Sequence, residues 1–282
     1  MTQGPGGAAP RLFSRNLKLR VLSSIVMIAA FVVVAYIGGL LFAAVVAAGS
    51  ALVLVEWIRM TDMPGSAYFK RAMPVAGGLC VLAASSGIDA AAFALLAIGG
   101  FTAAMAFAER HYAWLLAGLL YAAVPGILIV LLRGDDGAGF VAILFLFCIV
   151  WATDSGAYFA GRLIGGPKLW PRVSPSKTWS GAAGGVVSAA LVGIGVLAVA
   201  GVGVTLAAAL VAVLLSVASQ LGDLAESAVK RRFAVKDSGD LIPGHGGIMD
   251  RVDGLLFAAV LAAAIGYAHS GGLDVAAGLV RW

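Results

Sequence analysis

The chain has 282 residues, of which 61% are hydrophobic and only 12% are charged. Soluble domains carry about 25% charged residues, so this composition excludes an ordinary soluble domain and indicates a polytopic membrane protein. The formal net charge of +5 would favour a nucleic-acid partner in a soluble chain. Here the basic residues are spread between apolar segments, and we expect membrane lipids and no nucleic acid as partners. Cys80 and Cys148 both lie in apolar runs, which predicts buried thiols.

The first 20 residues are rich in glycine and proline, carry four basic residues and contain no acidic one. Such a segment predicts a disordered cytoplasmic tail over 1–20 that is attracted to anionic lipid. The apolar sequence that follows continues from Val21 to about Ile58, which is too long for the core of a cleavable signal peptide. We therefore expect it to form two membrane spans.

A membrane span needs about 20 apolar residues, and the chain offers nine apolar runs, some of them short. They cover roughly 21–37, 40–58, 72–87, 90–108, 113–132, 138–153, 180–200, 202–221 and 254–270. With the amino terminus in the cytoplasm, 17 of the 19 lysines and arginines fall in cytoplasmic segments, as the positive-inside rule requires. The carboxyl terminus is then expected outside.

The predicted fold class is thus all-α: a polytopic integral protein of the inner (plasma) membrane with about nine transmembrane helices. We divide the chain into the tail, an amino-terminal bundle of about six spans (21–153) and a catalytic region (154–282). The catalytic region contains two long polar loops, 154–179 and 222–253, which both face the cytoplasm in this topology. The candidate chemistry is therefore expected at the cytoplasmic surface of the membrane.

The second polar loop begins with charged residues at helical spacing. Eleven charged residues lie in 222–254, and Asp223, Glu226 and Lys230 would share one helix face if the eighth span continues past Leu221. An intrahelical ion pair explains Glu226 and Lys230 well. Asp223 is harder to explain in this way, because it lies at the hydrocarbon edge, where a charge is costly. It is therefore a candidate metal ligand.

The same loop ends in glycines that are followed by acids. Residues 243–247 cannot form regular helix, and their glycines leave backbone N–H groups able to form a nest for an anion. We expect the last span to start within 248–250, so that its first-turn N–H groups point at the same nest. Asp250 and Asp253 are either helix caps or site acids, and their position on both sides of Arg251 favours a site.

The first polar loop supplies further candidates. Asp154 closes the sixth span as a carboxylate at the membrane boundary. Lys177 and Thr178 precede the seventh span with an ammonium and a hydroxyl group that can bind phosphate, although the glycine spacing of a P-loop is lacking. Hard carboxylates favour Mg²⁺, held together with substrate phosphates, over zinc. The two loops together predict phosphoryl or nucleotidyl transfer, in which catalysis is mostly positioning and charge neutralisation.

Both loops resemble those of a known family. The segment from Ser227 to Asp253, SAVKRRFAVKDSGDLIPGHGGIMDRVD, is similar to the signature of the phosphatidate cytidylyltransferase (CDP-diacylglycerol synthase) family. Residues 153–181 are similar to that family's other cytoplasmic motif. The resemblance implies transfer of CMP from CTP to phosphatidic acid, which gives CDP-diacylglycerol and pyrophosphate. It also implies Mg²⁺, helped by a monovalent cation such as K⁺, and a homodimer.

The resemblance also implies roles for individual residues. Asp223 and Asp250 match the acids that the family uses for metal, and Asp154 and Asp253 are further candidate ligands. The expected catalytic set is Asp223, Lys230, Asp250 and Arg251. The expected substrate-binding set is Ser176, Lys177, Thr178, Ser227, Arg231, Lys236, Asp237, His245, Gly246 and Gly247. His245 stays open between a structural and a catalytic role. The serines at 155, 176 and 180 depart from the family's usual residues, which argues against a cation at 176 or a carboxylate at 180.

Two alternatives compete with this prediction. A related membrane enzyme could use CTP with another lipid, either as a polyprenol kinase or as a cytidylyltransferase for archaeal lipids. A secondary transporter is disfavoured, because transporter sites lie near the membrane midplane on broken helices. Here the unusual charges fall in the cytoplasmic loops instead.

Overall fold

The computed structural model describes residues 26, 28–62, 67–108, 112–239, 246–272 and 274–282, and this part of the chain is almost entirely helical. The helices are α1 (Ile28–Ile37), α2 (Gly39–Met60), α3 (Ala67–Ala83), α4 (Ile88–Ala108), α5 (Tyr112–Arg133), α6 (Gly137–Leu163), α7 (Trp179–Val199), α8 (Leu206–Arg232), α9 (Met249–Ser270) and α10 (Val275–Val280). A 3₁₀ turn, Ala84–Ser86, joins α3 to α4. An antiparallel hairpin of β1 (Lys168–Trp170) and β2 (Ser174–Thr178) lies between α6 and α7. The predicted all-α class is confirmed.

Six of the described helices are long and apolar enough to cross a membrane, namely α2, α5, α6, α7, α8 and α9. The chain is therefore a multi-pass membrane protein, as its composition predicts. Shorter apolar helical stretches occur in α1 and at Ile88–Ala103 of α4. Each predicted apolar run overlaps one of the helices α1–α9 in the described residues, although the first turns of α3 contain the charged residues Lys70 and Arg71.

The predicted polar loops are wider than the loops that the structure contains. Helix α6 continues to Leu163 and α8 to Arg232, well beyond the span ends predicted at 153 and 221. Hydropathy marks where a helix leaves the hydrocarbon, and neither extension contains a proline that would end the helix there. Helix α8 does continue past Leu221, which is the condition under which Asp223, Glu226 and Lys230 share a helix face. The expected start of α9 is confirmed. The sequence does not predict the β1–β2 hairpin or α10.

Helices α6 and α7 pack closely through small residues. A Cβ placed on Gly185 would lie only 2.9 Å from the carbonyl oxygen of Thr153, so a larger residue there would push the two helices apart. Thr178 caps α7 by accepting a hydrogen bond from the backbone N–H of Gly181 at 3.1 Å, which fixes where this helix begins. The start of α7 is thus held beside the second half of α6.

Helices α8 and α9 meet through two further glycines. A Cβ on Gly222 would lie 2.6 Å from the carbonyl oxygen of Asp253, and one on Gly254 would lie 2.5 Å from the hydroxyl oxygen of Ser219. Glycine at both positions permits this close backbone approach. The polar end of α8 therefore lies against the first turns of α9.

The buried core consists of two hydrophobic clusters. One is built around α6, with Phe145 and Ile149, and includes residues of α8, α9 and α10. The other belongs mainly to α2, α3 and α5 and includes Leu54. Met249, the first residue of α9, is completely buried in this second cluster. The amino-terminal bundle therefore contacts the helix that carries Asp250.

Candidate active site

A polar cavity of about 580 Å³ opens where the second half of α6, the start of α7 and the middle of α8 meet. Its walls combine residues from both predicted motifs. The predicted site residues on its lining are Asp154, Ser176, Lys177, Thr178, Asp223 and Arg251. Segments far apart in sequence thus contribute to one cavity.

Three carboxylates lie together at this site, and we call them the carboxylate cluster. Asp223 and Glu226 on α8 and Asp253 on α9 place oxygen atoms within 4.8 Å of one another. Glu226 is 1% exposed. Its Oε2 forms an ion pair with Lys230, and its Oε1 accepts no hydrogen bond from the described residues. Two predicted metal ligands, Asp223 and Asp253, therefore meet, and Glu226 joins them. Such a group of oxygen ligands suits Mg²⁺, which also retains water and substrate phosphate.

Two lysines partly neutralise the acids. Lys177, at the end of the hairpin, forms an ion pair with Asp223. Lys230 contacts Glu226 at 2.6 Å and Asp250 at 2.7 Å. The ion pair expected within α8 is confirmed, and the same lysine also bridges to α9. Of the two, Lys177 lines the polar cavity, where it could exchange its carboxylate partner for a substrate phosphate.

Asp250 is not a member of the carboxylate cluster and has partners of its own. Its carboxylate accepts hydrogen bonds from the backbone N–H groups of Gly247 and Ser238, each at 3.0 Å, and from Lys230 at 2.7 Å. It is therefore connected to the cluster through Lys230. Asp154 lies on the wall of the polar cavity, where it is exposed.

The start of α9 is capped by a residue that the sequence analysis does not identify. Glu56 of α2 is completely buried and accepts hydrogen bonds from the backbone N–H groups of Ile248 at 2.9 Å and Met249 at 2.8 Å. The expectation that these first-turn groups face a substrate anion is therefore wrong, because an acid of the protein itself occupies them. A lone acid in the apolar run 40–58 is the signal that could have revealed it.

Two residues of the predicted substrate-binding set lie at the edge of the site. Ser227 donates a long hydrogen bond of 3.4 Å to Asp223. Arg231 donates one of 3.4 Å to the carbonyl oxygen of Val173, close to the hairpin. The structure thus ties the end of α8 to the segment that carries Lys177.

Other members of the predicted substrate-binding set lie farther from the polar cavity or outside the residues that the structure describes. Lys236 and Asp237 follow α8, are exposed and do not contribute to the polar cavity. Gly246 has a φ of 81°, a conformation that favours glycine. His245 lies outside the described residues, so its expected role stays a prediction.

Four polar residues on the cavity wall are absent from the predicted set, namely Thr153, Tyr158, Arg162 and Gln220. Arg162 donates a hydrogen bond of 2.9 Å to the hydroxyl of Tyr158, and Gln220 donates one of 3.3 Å to the carbonyl oxygen of Ala182. Tyr158 and Arg162 follow Asp154 at intervals of four residues, which is one helix face. The sequence contains this spacing, but the spacing has meaning only if α6 continues as a helix beyond the predicted span end at 153.

An apolar groove adjoins the polar cavity. It encloses about 930 Å³ between α7 and α8, and side chains such as Trp179 and Val187 form its walls. Leu169, Ala182 and Gln220 line both the groove and the polar cavity. The site is therefore shaped for a molecule with a charged head and an apolar tail.

Fold and site together define a multi-pass membrane protein with a phosphate-handling centre beside a lipid-sized groove. Comparison with known families gives the more specific assignment. The sequence profile described as "Cytidylyltransferase family" matches residues 18–269. The chain belongs to this family and is a nucleotidyltransferase, which confirms the resemblance seen in the motifs.

Individual relatives extend this similarity over most of the chain. The phosphatidate cytidylyltransferase of Brucella suis is 41% identical over 254 residues, which cover 87% of this chain and 92% of the relative. The phosphatidate cytidylyltransferase of Bacillus subtilis is 33% identical over 254 residues, covering 86% and 94%. That of Staphylococcus epidermidis is 50% identical over a shorter stretch of 116 residues, covering 41% and 45%.

Proposed function

We propose that the protein transfers CMP from CTP to phosphatidic acid, which releases pyrophosphate and leaves CDP-diacylglycerol in the membrane. The observation that carries this proposal is the junction of the polar cavity with the apolar groove, because the reaction joins a water-soluble nucleotide to a lipid. The relatives named phosphatidate cytidylyltransferase support the same pair of substrates.

The two substrates would meet at that junction. Lys177 and Arg251 line the polar cavity and supply positive charge for a triphosphate. The apolar groove lies between α7 and α8, and at about 930 Å³ it has room for part of a diacylglycerol moiety. We therefore place the lipid phosphate beside Gln220 and Ala182, which border both spaces.

In the proposed reaction, a phosphate oxygen of the lipid attacks the α-phosphorus of CTP. The bond from that phosphorus to the oxygen that bridges to the β-phosphate breaks, and pyrophosphate leaves with the electron pair. No general base is required, because a phosphate monoester is already anionic near pH 7. Lys177, Lys230 and Arg251 would neutralise charge on the substrates and on the leaving pyrophosphate.

Mg²⁺ is the cofactor we propose for the carboxylate cluster, with Asp250 and Asp154 as the additional ligands that the sequence predicts. The fit rests on carboxylate oxygens at close spacing and on Glu226, whose buried Oε1 accepts no hydrogen bond from the described residues. When bound, Mg²⁺ would withdraw charge from the phosphate oxygens. K⁺ is proposed as a companion cation from the family resemblance.

The proposed topology has nine spans, α1–α9, in the inner (plasma) membrane, with the amino terminus in the cytoplasm and the carboxyl terminus outside. The lysine and arginine distribution supports it, since 17 of 19 fall on one side. The site then faces the cytoplasm, from which CTP would enter. A homodimer is proposed from the family resemblance.

A direct assay tests the proposed reaction. Purified protein in detergent is incubated with dioleoyl phosphatidic acid, Mg²⁺ and CTP labelled at the α-phosphate. We expect label to enter a liponucleotide and EDTA to abolish its formation. Transfer of label from the γ-phosphate would instead identify a lipid kinase. Activity with another acceptor lipid alone would identify a related transferase, and either result would contradict the proposal.

A further inference from the structure

We infer that Glu56 is a positioning residue, which holds the start of α9, and thereby the acids of that helix, from the amino-terminal bundle. One of its two tests, the Mg²⁺ requirement of the enzyme, rests on the proposed function. The other, amide hydrogen exchange at the start of α9, does not depend on the reaction. Glu56 does not line the polar cavity or belong to the carboxylate cluster. Its effect on the site would therefore be transmitted through other residues.

The first reason is that, within the part of the chain that the structure describes, the N-cap position of α9 supplies no side-chain cap. Its N-cap residue, Ile248, makes no side-chain hydrogen bond to the helix. Glu56 supplies the cap from α2, with Oε1 accepting from the N–H of Ile248 and Oε2 from the N–H of Met249. A carboxylate is favoured at a helix N-terminus by the helix dipole. Because Glu56 is completely buried, leaving its carboxylate or these N–H groups without a partner would be costly.

The second reason is that Ser238 connects Glu56 to Asp250. The hydroxyl of Ser238 donates to Glu56 Oε2 at 3.0 Å, and its backbone N–H donates to Asp250 Oδ2 at 3.0 Å. Asp250 in turn accepts a hydrogen bond from Lys230 at 2.7 Å. A continuous series of contacts therefore runs from α2 through the loop to α8.

The third reason is that the loop is shaped around the Glu56 carboxylate. A Cβ on Gly239 would lie 3.0 Å from Glu56 Oε1, and one on Gly247 would lie 2.5 Å from Oε2. The adjoining Met249 is completely buried in the cluster of α2, α3 and α5. Polar and apolar contacts thus both fasten the start of α9 to the amino-terminal bundle.

These contacts bear on the site because α9 carries Asp253 in its second turn. A shift of the start of α9 would change the spacing of the carboxylate cluster, whose other two members lie on α8. A simple cap would need contacts to Ile248 and Met249 alone. The additional link through Ser238 to Asp250 is what gives Glu56 control over a predicted metal ligand.

The test replaces Glu56 by glutamine, E56Q, in the full chain. In either orientation of the glutamine amide, its NH₂ group faces the backbone N–H of Ile248 or of Met249. One of these two hydrogen bonds is therefore lost. We expect the Mg²⁺ concentration for half-maximal activity to rise about tenfold, as for other residues that orient metal ligands. We also expect faster amide hydrogen exchange over residues 246–254 in protein without added metal. The exchange measurement decides the inference even if the wild-type protein lacks the proposed activity.

Phe42→Leu is the matched control. Phe42 is also on α2 and buried, but it precedes Glu56 by 14 residues, belongs to the other hydrophobic cluster, which does not include Met249, and packs against Phe31. This variant should lower the melting temperature, while the Mg²⁺ requirement and exchange over 246–254 stay as in the wild type. If E56Q yields no folded protein, Ser238→Ala is judged by the same two measurements. Wild-type values of both, in E56Q or in its replacement, overturn the inference.

Discussion

Two buried charged regions, towards opposite ends of the 27-residue helix α6, differ in how completely the protein satisfies them. Close to the start of α6, Arg133 is 6% exposed. Its guanidinium donates hydrogen bonds to the carbonyl oxygens of Ala35, Tyr36, Gly134 and Asp136. Towards the other end lies the carboxylate cluster, in which Glu226 Oε2 is paired with Lys230 but the buried Oε1 accepts no hydrogen bond from the described residues.

The difference separates a structural charge from charges that are available to a ligand. Buried polar groups are normally satisfied by hydrogen bonds, and Arg133 follows this rule by joining the end of α1 to the turn between α5 and α6. The carboxylates of the cluster repel one another, and a neighbouring cation is needed to favour their charged forms. Lys177 and Lys230 provide part of that charge. A divalent cation would supply the remaining positive charge.

The largest effect is expected from Asp223→Asn, which removes one charge from the carboxylate cluster without changing its size. We expect CMP transfer to fall by about 1,000-fold, because a catalytic metal contributes several kcal/mol and about 1.4 kcal/mol corresponds to a factor of ten. Steady-state assays measure the loss. The melting temperature should change little, because the repulsion that is removed offsets the lost ion pair with Lys177.

The control for this variant is Asp89→Asn, which neutralises an exposed acid in the first turn of α4. It should keep wild-type activity. Near wild-type CMP transfer by the Asp223→Asn protein would show that catalysis does not depend on the charge of the carboxylate cluster. The contrast between the cluster and Arg133 would then have no bearing on function.

A smaller loss is expected from Lys177→Gln, which removes a cation that contacts Asp223 and lines the polar cavity. We expect kcat/KM for CTP to fall by about a hundredfold, as when one preorganised electrostatic group is removed from an active site. Lys168→Gln, an exposed residue on the neighbouring strand, should change it little. Equal losses in the two variants would assign the effect to the hairpin as a whole.

The apolar groove offers a variant that should separate the two substrates. Ala183→Trp would fill part of the groove between α7 and α8. We expect KM for phosphatidic acid to rise roughly tenfold, within the range for a single altered pocket contact, while KM for CTP stays unchanged. Leu210→Trp, on the exposed surface of α8 and outside the groove, is the control. A rise in both KM values for Ala183→Trp would contradict the assignment of the groove to the lipid.

The helices and much of the site are predictable because they depend on local patterns. The spacing of Asp223, Glu226 and Lys230 predicts that α8 continues beyond the membrane, and the glycines before Asp250 predict where α9 begins. The same spacing predicts the ion pair between Glu226 and Lys230. Each of these features involves residues within a few positions of one another, which sequence periodicity can reveal.

What could not be predicted depends on contacts between distant segments. Glu56 caps a helix that begins 193 residues later, and no periodicity specifies that α2 and α9 are neighbours. Its isolation in an apolar run signals a role but not a partner. The hairpin was also hidden, because its strands are short and β2 contains Pro175, which disfavours a strand.

The smallest effect on activity is expected at the satisfied charge. Arg133→Met keeps most of the side-chain length but removes every donor, so the carbonyl oxygens at the end of α1 lose their partner. We expect a loss of about 2 kcal/mol in stability, as for hydrogen bonds to a charged group, seen as a lower melting temperature in detergent. Arg281→Met, at an exposed position, should leave the melting temperature unchanged.

Below the melting temperature, kcat and the Mg²⁺ requirement of Arg133→Met should equal those of the wild type, because α6 separates Arg133 from the carboxylate cluster. A change in the Mg²⁺ requirement would mean that the two charged regions are coupled along α6, and that complete hydrogen bonding does not mark a purely structural charge.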